Sequence, residues 1–146
     1  MKCTIAEGAH KPGPEFVVNL AAFIREGEGY TVYNSNNKAI SVVAREIYGK
    51  VAITIHPQFR ALIPTGLKIS EAEGFIGQIF NNQTEAFSRG FSVNGGTEVI
   101  ALTNEEQEIF VSITNTSNMV IHIADGDLIA KAIFNKYRKS NQLEFE

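Results

Sequence analysis

The sequence predicts an all-β sandwich or barrel with one short helix. Short β-branched and aromatic runs recur at even spacing, turn residues separate them, and several runs alternate apolar with polar residues. From Tyr30 onward the runs are Tyr30–Tyr33, Ala39–Ala44, Lys50–Ile55, Ala61–Ile69, Gly74–Phe80, Glu98–Leu102, Glu108–Ile113, Met119–Ile123 and Leu128–Phe134. The turn signals include Asn34–Asn37, His56–Pro57, Gly95–Gly96, Asn115–Asn118 and Asp125–Gly126. In Val51–Ile55 and Ile109–Ile113 the odd positions are apolar, so one face of each strand points to a core. Val120–Ile123 likewise sends His122 to the opposite, polar face.

The remaining segments follow in chain order. Gly8, Pro12, Gly13 and Pro14 make residues 1–15 read as an irregular arm. Phe16–Ile24 is a nearly unbroken apolar run, the pattern of a buried strand. Val42–Glu46 reads equally as strand or helix. The single helix is expected over Thr84–Gly90, with Asn82 as N-cap and Gly90 as its stop. Tyr137–Glu146 is polar and reads as an extended arm.

At 146 residues the chain fits one domain, with an ordinary globular balance of 44% hydrophobic and 20% charged residues. A formal charge of −3 argues against a duplex nucleic-acid partner, yet leaves room for the few local cations a small phosphorylated ligand needs. Cys3 is the only cysteine, which excludes an intrachain disulfide and a cysteine-based zinc site. His10, His56 and His122 are isolated, so no metal is expected. With no signal-like or membrane-spanning run, a cytoplasmic setting and no membrane partner are expected.

Three motifs in the right order resemble the trimeric dUTPase superfamily. Ala61–Ile69, ALIPTGLKI, is similar to the family's scaffold strand, where Gly66 permits a kink or close approach. Gly74–Phe91 keeps Gly77, Ile79, Ala86 and Gly90 at the spacing of G-x-I-x-P-R-S-G-L-A, three residues, then G-I. Asp125–Lys131 resembles the family's "GDRIAQ" turn. Glu108–Asn115 resembles the strand after the third motif, and Val17–Ala22 weakly matches the first, with Asn19 in place of its acid. The resemblance implies a dUTPase-like jelly-roll or β-barrel spanning 1–146 and assembling as a homotrimer. It also implies a family-atypical insertion over 24–50, expected to form a hairpin or flap, and a C-terminal arm over 135–146.

The same resemblance implies hydrolysis of a deoxynucleoside triphosphate, which needs a carboxylate to activate water, phosphate-binding cations and Mg2+. Here the Arg-Ser pair of the second motif becomes Asn82 and Gln83. The water-activating Asp falls on Ile100 or, counted back from Glu108, on Leu102. No tyrosine takes the base-stacking position, and the tail lacks the glycines of the closing arm. Lys131 stands at the glutamine of the fourth motif.

The expectation is therefore a non-catalytic nucleotide-binding homotrimer that sequesters a nucleotide or cyclic nucleotide, as a viral counter-defence protein would. No catalytic residue and no cofactor are expected, with Mg2+ needed only if hydrolysis is retained. Candidate ligand residues are Asn82, Gln83 and Thr84 at the helix start, Asn94, Gly95 and Gly96 as a donor-rich turn, Lys131, and Phe91, Tyr30 or Tyr33 for stacking. Phe91 reads equally as core, the asparagines as turn formers and Lys131 as a solvated strand end. Two alternatives stand beside this: a diphosphatase with altered motifs, in which Glu98 or Glu105 replaces the base, and a structural or protein-interaction trimer contacting partners through its Tyr- and Asn-rich insertion.

Overall fold

The computed structural model describes residues 1–13, 17–82, 89–93 and 97–137. Among these, the regular elements are β-strands arranged in three sheets. The largest sheet has the order β4 (Ala39–Val43), β3 (Gly29–Tyr33), β7 (Arg60–Ser70), β11 (Gln107–Asn115) and β9 (Phe91–Val93). The short β1 (Lys2–Ile5) joins it along the far end of β7. A second sheet runs β10 (Thr97–Ala101), β8 (Phe75–Phe80), β13 (Leu128–Lys136) and β2 (Val18–Ala21). The third is β12 (Ile121–Ala124), β6 (Lys50–Ile55) and β5 (Arg45–Ile47). Every pairing is antiparallel.

The alternation read in the sequence sets the core. Ile53 and Ile55 of β6, and Ile109, Val111 and Ile113 of β11, are all buried. They meet Ile63, Leu67 and Ile69 of β7, with Leu20, Ile79, Ile123 and Ile129 from the flanking sheets. Each fully buried Ile or Leu stabilises the fold by roughly 1.5–3 kcal/mol. Two buried polar residues are satisfied internally. Thr65 Oγ1 donates to Ile109 O at 2.6 Å. Asn115 Nδ2 donates to Ile55 O and Met119 O, while its Oδ1 accepts from Ser117 N and Oγ.

Turn chemistry joins the strands as the residue types require. Pro57 and Gln58 (φ +66°) form the turn closed by Phe59 N donating to His56 O, and Tyr48–Gly49, both at positive φ, close the β5–β6 hairpin. Gly66 adopts φ +71°, and a Cβ there would lie 2.5 Å from Ala9 Cβ and 2.9 Å from the Phe23 ring. The close approach expected at this glycine is thus to the N-terminal arm.

Several boundaries differ from the sequence reading. The arm is not wholly irregular, because Lys2–Ile5 pairs with Leu67–Ser70. The strand in Phe16–Ile24 covers only Val18–Ala21; beyond it the backbone is held by Asp125 and its turn, through Ala22 N to Asp127 O and Ile24 N to Asp125 Oδ1. Val42–Glu46 resolves to strand, divided between β4 and β5. The sequence reading missed β9, and β13 runs through Asn135 and Lys136, the first residues of the expected arm. Apart from Arg89 and Gly90, the body of the expected helix lies outside the described residues, as do 138–146 of the tail.

Candidate nucleotide site

Strand register places the central candidate. Lys131 of β13 lies opposite Asn19 of β2 on one side and Phe80 of β8 on the other. Directly opposed residues project from the same face, so these three side chains form one row across the second sheet. Their neighbours Ala130, Ala132 and Ile79 are buried on the other face, which leaves the row facing outward. Lys131 and Phe80 are half-buried and Asn19 is exposed.

Two residues past Phe80, Asn82 is buried. Its neighbour Asn81 accepts a hydrogen bond from Val93 N at 2.6 Å. That bond ties the end of β8 to the end of β9. Gln83, Thr84, Asn94, Gly95 and Gly96 lie outside the described residues.

The aromatic candidates sit elsewhere. Phe91 is only 1% exposed, and the Arg89 guanidinium covers its ring at 5.5 Å. Of its two readings, the structure gives core, which corrects the stacking role. Tyr30 is likewise buried, with its hydroxyl accepting from Arg25 N at 2.8 Å, so it too is a core residue. Burial raises its phenol pKa above the ordinary tyrosine value. Tyr33 is exposed, but Arg60 lies over its ring at 5.5 Å. Both tyrosines belong to β3 in the first sheet and do not join the Lys131 row within one chain.

The positions of the missing base are hydrophobic in space as well as in sequence. Leu102 is 3% exposed in the core, its N–H donating to Phe75 O. Ile100 is half-buried opposite Gly77. Glu98 and Glu105 are exposed.

The two acids of the Asp125–Asp127 turn are held in structural contacts. Asp125 Oδ1 accepts from Ile24 N at 2.9 Å and lies 3.1 Å from His10 Nε2. Asp127 Oδ2 meets Arg89 Nη1 and Ala124 N, each at 2.8 Å. Arg89 also donates to His122 O. Sequence reasoning missed this cluster, because its members are 38 positions apart.

Among the described residues, no three His, Cys, Asp or Glu side chains come together as a metal cage. Mg2+ prefers hard oxygen ligands, usually carboxylates with phosphates and water. The Lys131 row offers an ammonium, an amide and a phenyl ring, a donor set that does not fit a protein-held Mg2+. An ion there would have to arrive on ligand phosphates. No helix among the described residues is long and apolar enough to cross a membrane.

No family model matches the chain. It is 32% identical over 99 residues to a deoxyuridine 5'-triphosphate nucleotidohydrolase of Finegoldia magna, covering 68% of each protein. The dUTPase from Streptococcus mutans matches 97% of this chain and 99% of its own with a TM-score of 0.66 at 13% identity. The dUTPase from phage phi11 of S. aureus matches 99% of this chain and 95% of its own with a TM-score of 0.67 at 12% identity. The Staphylococcus bacteriophage 80alpha dUTPase, in a mutant form with dUpNHpp, matches over the same shares at the same score and 12% identity.

Proposed function

This chain belongs to the dUTPase family, and from that premise we propose that it binds a nucleotide at the Lys131 row, as a homotrimer with clefts between subunits. The carrying observation is Lys131 itself. It stands at the fourth-motif position, on an outward row, directly across from Asn19 and from Phe80 at the end of β8. An ammonium there offsets phosphate charge, and the amides of Asn19 and Asn82 are of a type that donates to phosphate oxygens. The nucleotides of first choice are deoxyuridine phosphates, in keeping with the nucleotidohydrolase relative and the dUpNHpp-bound phage enzyme. Cyclic dinucleotides are the next.

The reading does not include efficient hydrolysis. A water-activating base must lie within hydrogen-bond reach of the water. Leu102 is buried, Ile100 carries no acid, and both turn aspartates are held by other partners. A second reading, a working dUTP diphosphatase, is favoured by the identity to the Finegoldia magna relative. In that case the general base must come from a residue outside the motif position.

One experiment separates the two. The full chain is titrated calorimetrically with dUTP, dUpNHpp and cyclic dinucleotides, with and without Mg2+, and pyrophosphate release is followed in parallel. Binding without release supports the first reading, and Lys131→Ala should then weaken affinity about tenfold, the cost of one charge-assisted contact. Pyrophosphate release that scales with enzyme concentration would establish the second. No heat from any nucleotide on the folded protein would reject both.

A further inference from the structure

The first and third sheets share a continuous run of chain, and they part at a fork. Ala39–Ile47 passes from β4, paired with β3, into β5, paired with β6. The β5–β6 ladder ends at Arg45–Ala52, beyond which β4 and the end of β6 diverge. Asn34 N donates to Lys38 O and Ala44 N to Glu28 O, which sets the hydrogen-bonding phase of the β3–β4 ladder. Even-numbered residues of β4 point their amides at β3, so the N–H and C=O groups of Ala39, Ser41 and Val43 point into the fork. From the other side, Val51 O accepts from Asp125 N on the β12 side, so the backbone of Thr54 also faces the fork. No further strand occupies it among the described residues.

Side chains continue the pattern. Ile40 and Val42 project from the opposite face of β4 to Ser41, beside Val32. With Thr54, His56 and Phe59 they line a cleft of about 410 Å³. The lining is mostly apolar, and Ile40 is 37% exposed.

Proteins ordinarily protect such an edge with a lysine, a proline or a bulge within the strand. Ala-Ile-Ser-Val-Val has none of these in β4. The charges stand at its ends and on the next hairpin instead. Lys38, Arg45 and Lys50 are exposed there, against one exposed acid, Glu46.

We propose that the fork is a docking site for an extended peptide segment of another protein, with apolar residues at alternate positions and acidic residues between them. Backbone pairing to Ala39, Ser41 and Val43 gives the affinity, the cleft takes the alternate apolar side chains, and Lys38, Arg45 and Lys50 favour the acids. A compact small molecule would fill the cleft but leave the strand edge unpaired, which is why a peptide fits better.

The test uses the full chain and a short acetylated peptide in which glutamate alternates with leucine. Calorimetry gives the affinity, and amide and methyl NMR shifts give the location. Binding should shift the amides of Ala39, Ser41 and Val43 and the methyls of Ile40 and Val42. The Ser41 N–H points away from β3, so Ser41→Pro removes a template donor without breaking the ladder, and proline is tolerated on edges. It should weaken binding about tenfold, while Ser41→Ala stays within about twofold.

A peptide methylated on the amide nitrogens that face β4 keeps its side chains and should not bind. This control stands even if Ser41→Pro fails to fold. The proposal is overturned if the peptide does not bind, if the methylated peptide binds equally well, or if the shifts fall elsewhere. It is also overturned if Ser41→Pro abolishes self-association of the full chain, since the edge then belongs to a second copy. Deleting residues 138–146 should leave affinity unchanged; a gain would assign the edge to the chain's own Leu-Glu-Phe-Glu end instead.

Discussion

Replacing Asn115 with alanine removes the most heavily used polar side chain of the core. Its Nδ2 donates to Ile55 O at 3.0 Å and Met119 O at 2.8 Å. Its Oδ1 accepts from Ser117 N at 3.0 Å and Ser117 Oγ at 2.7 Å. The residue is 0% exposed, so water cannot replace these partners without opening the structure. Ile55 O loses its side-chain donor in the interior, while Met119 O keeps Ser117 Oγ at 3.0 Å. A buried carbonyl deprived of a donor costs roughly 1–3 kcal/mol, and losing the Asx-type turn at Ser117 and the packed side chain adds to that. The expected loss is about 3–5 kcal/mol, or about 10 °C in Tm for a chain of this size. Asn115→Asp should be at least as damaging, because a buried carboxylate would face two carbonyls. Urea unfolding followed by circular dichroism, with a thermal scan on the same samples, measures both. A cost below about 1 kcal/mol for the alanine variant, or an aspartate variant clearly milder than it, would refute the reasoning.

The Arg89–Asp127 pair should behave as a structural clasp. Asp127→Ala removes the carboxylate from Arg89, which keeps His122 O, and takes the acceptor from the Ala124 N–H. It should cost about 2–3 kcal/mol, with a double-mutant cycle against Arg89→Ala giving a coupling of about 1–2 kcal/mol by chemical denaturation. Gly66→Ala should destabilise by about 1–3 kcal/mol through its φ of +71° and the contact with Ala9, and Ala9→Gly in the same chain should recover part of the loss in a thermal scan. For Tyr30, burial raises the pKa of the folded state, so its contribution to stability is fully present below the ordinary tyrosine value. That contribution is lost as pH rises through the higher folded value. Ultraviolet titration should show one tyrosine ionising late, absent in Tyr30→Phe, and the variant's stability should fall less steeply with alkaline pH.

The sequence alone determined the β class, most of the strands along the chain and the family. A strand records its buried face every second residue, so Val51–Ile55 and Ile109–Ile113 carry their orientation in their own residues. Turn chemistry is equally local, and Asp125–Gly126 and His56–Pro57 marked their turns correctly. Short strands without an apolar alternation of their own, such as Lys2–Ile5, form only because a neighbour supplies an edge, and nothing local announces that.

The site divides the same way. The absence of a carboxylate at Ile100 or Leu102 was legible as composition, but whether Phe91 packs inward or faces a ligand depends on what lies over its ring. The Lys131–Asn19–Phe80 row joins residues more than 100 positions apart and exists only through register. The fork beside β4 is likewise a property of which strands pair and where a ladder stops. Local sequence fixes what each strand presents. Pairing over long separations, whose gain is shared between partners, decides which presented groups meet.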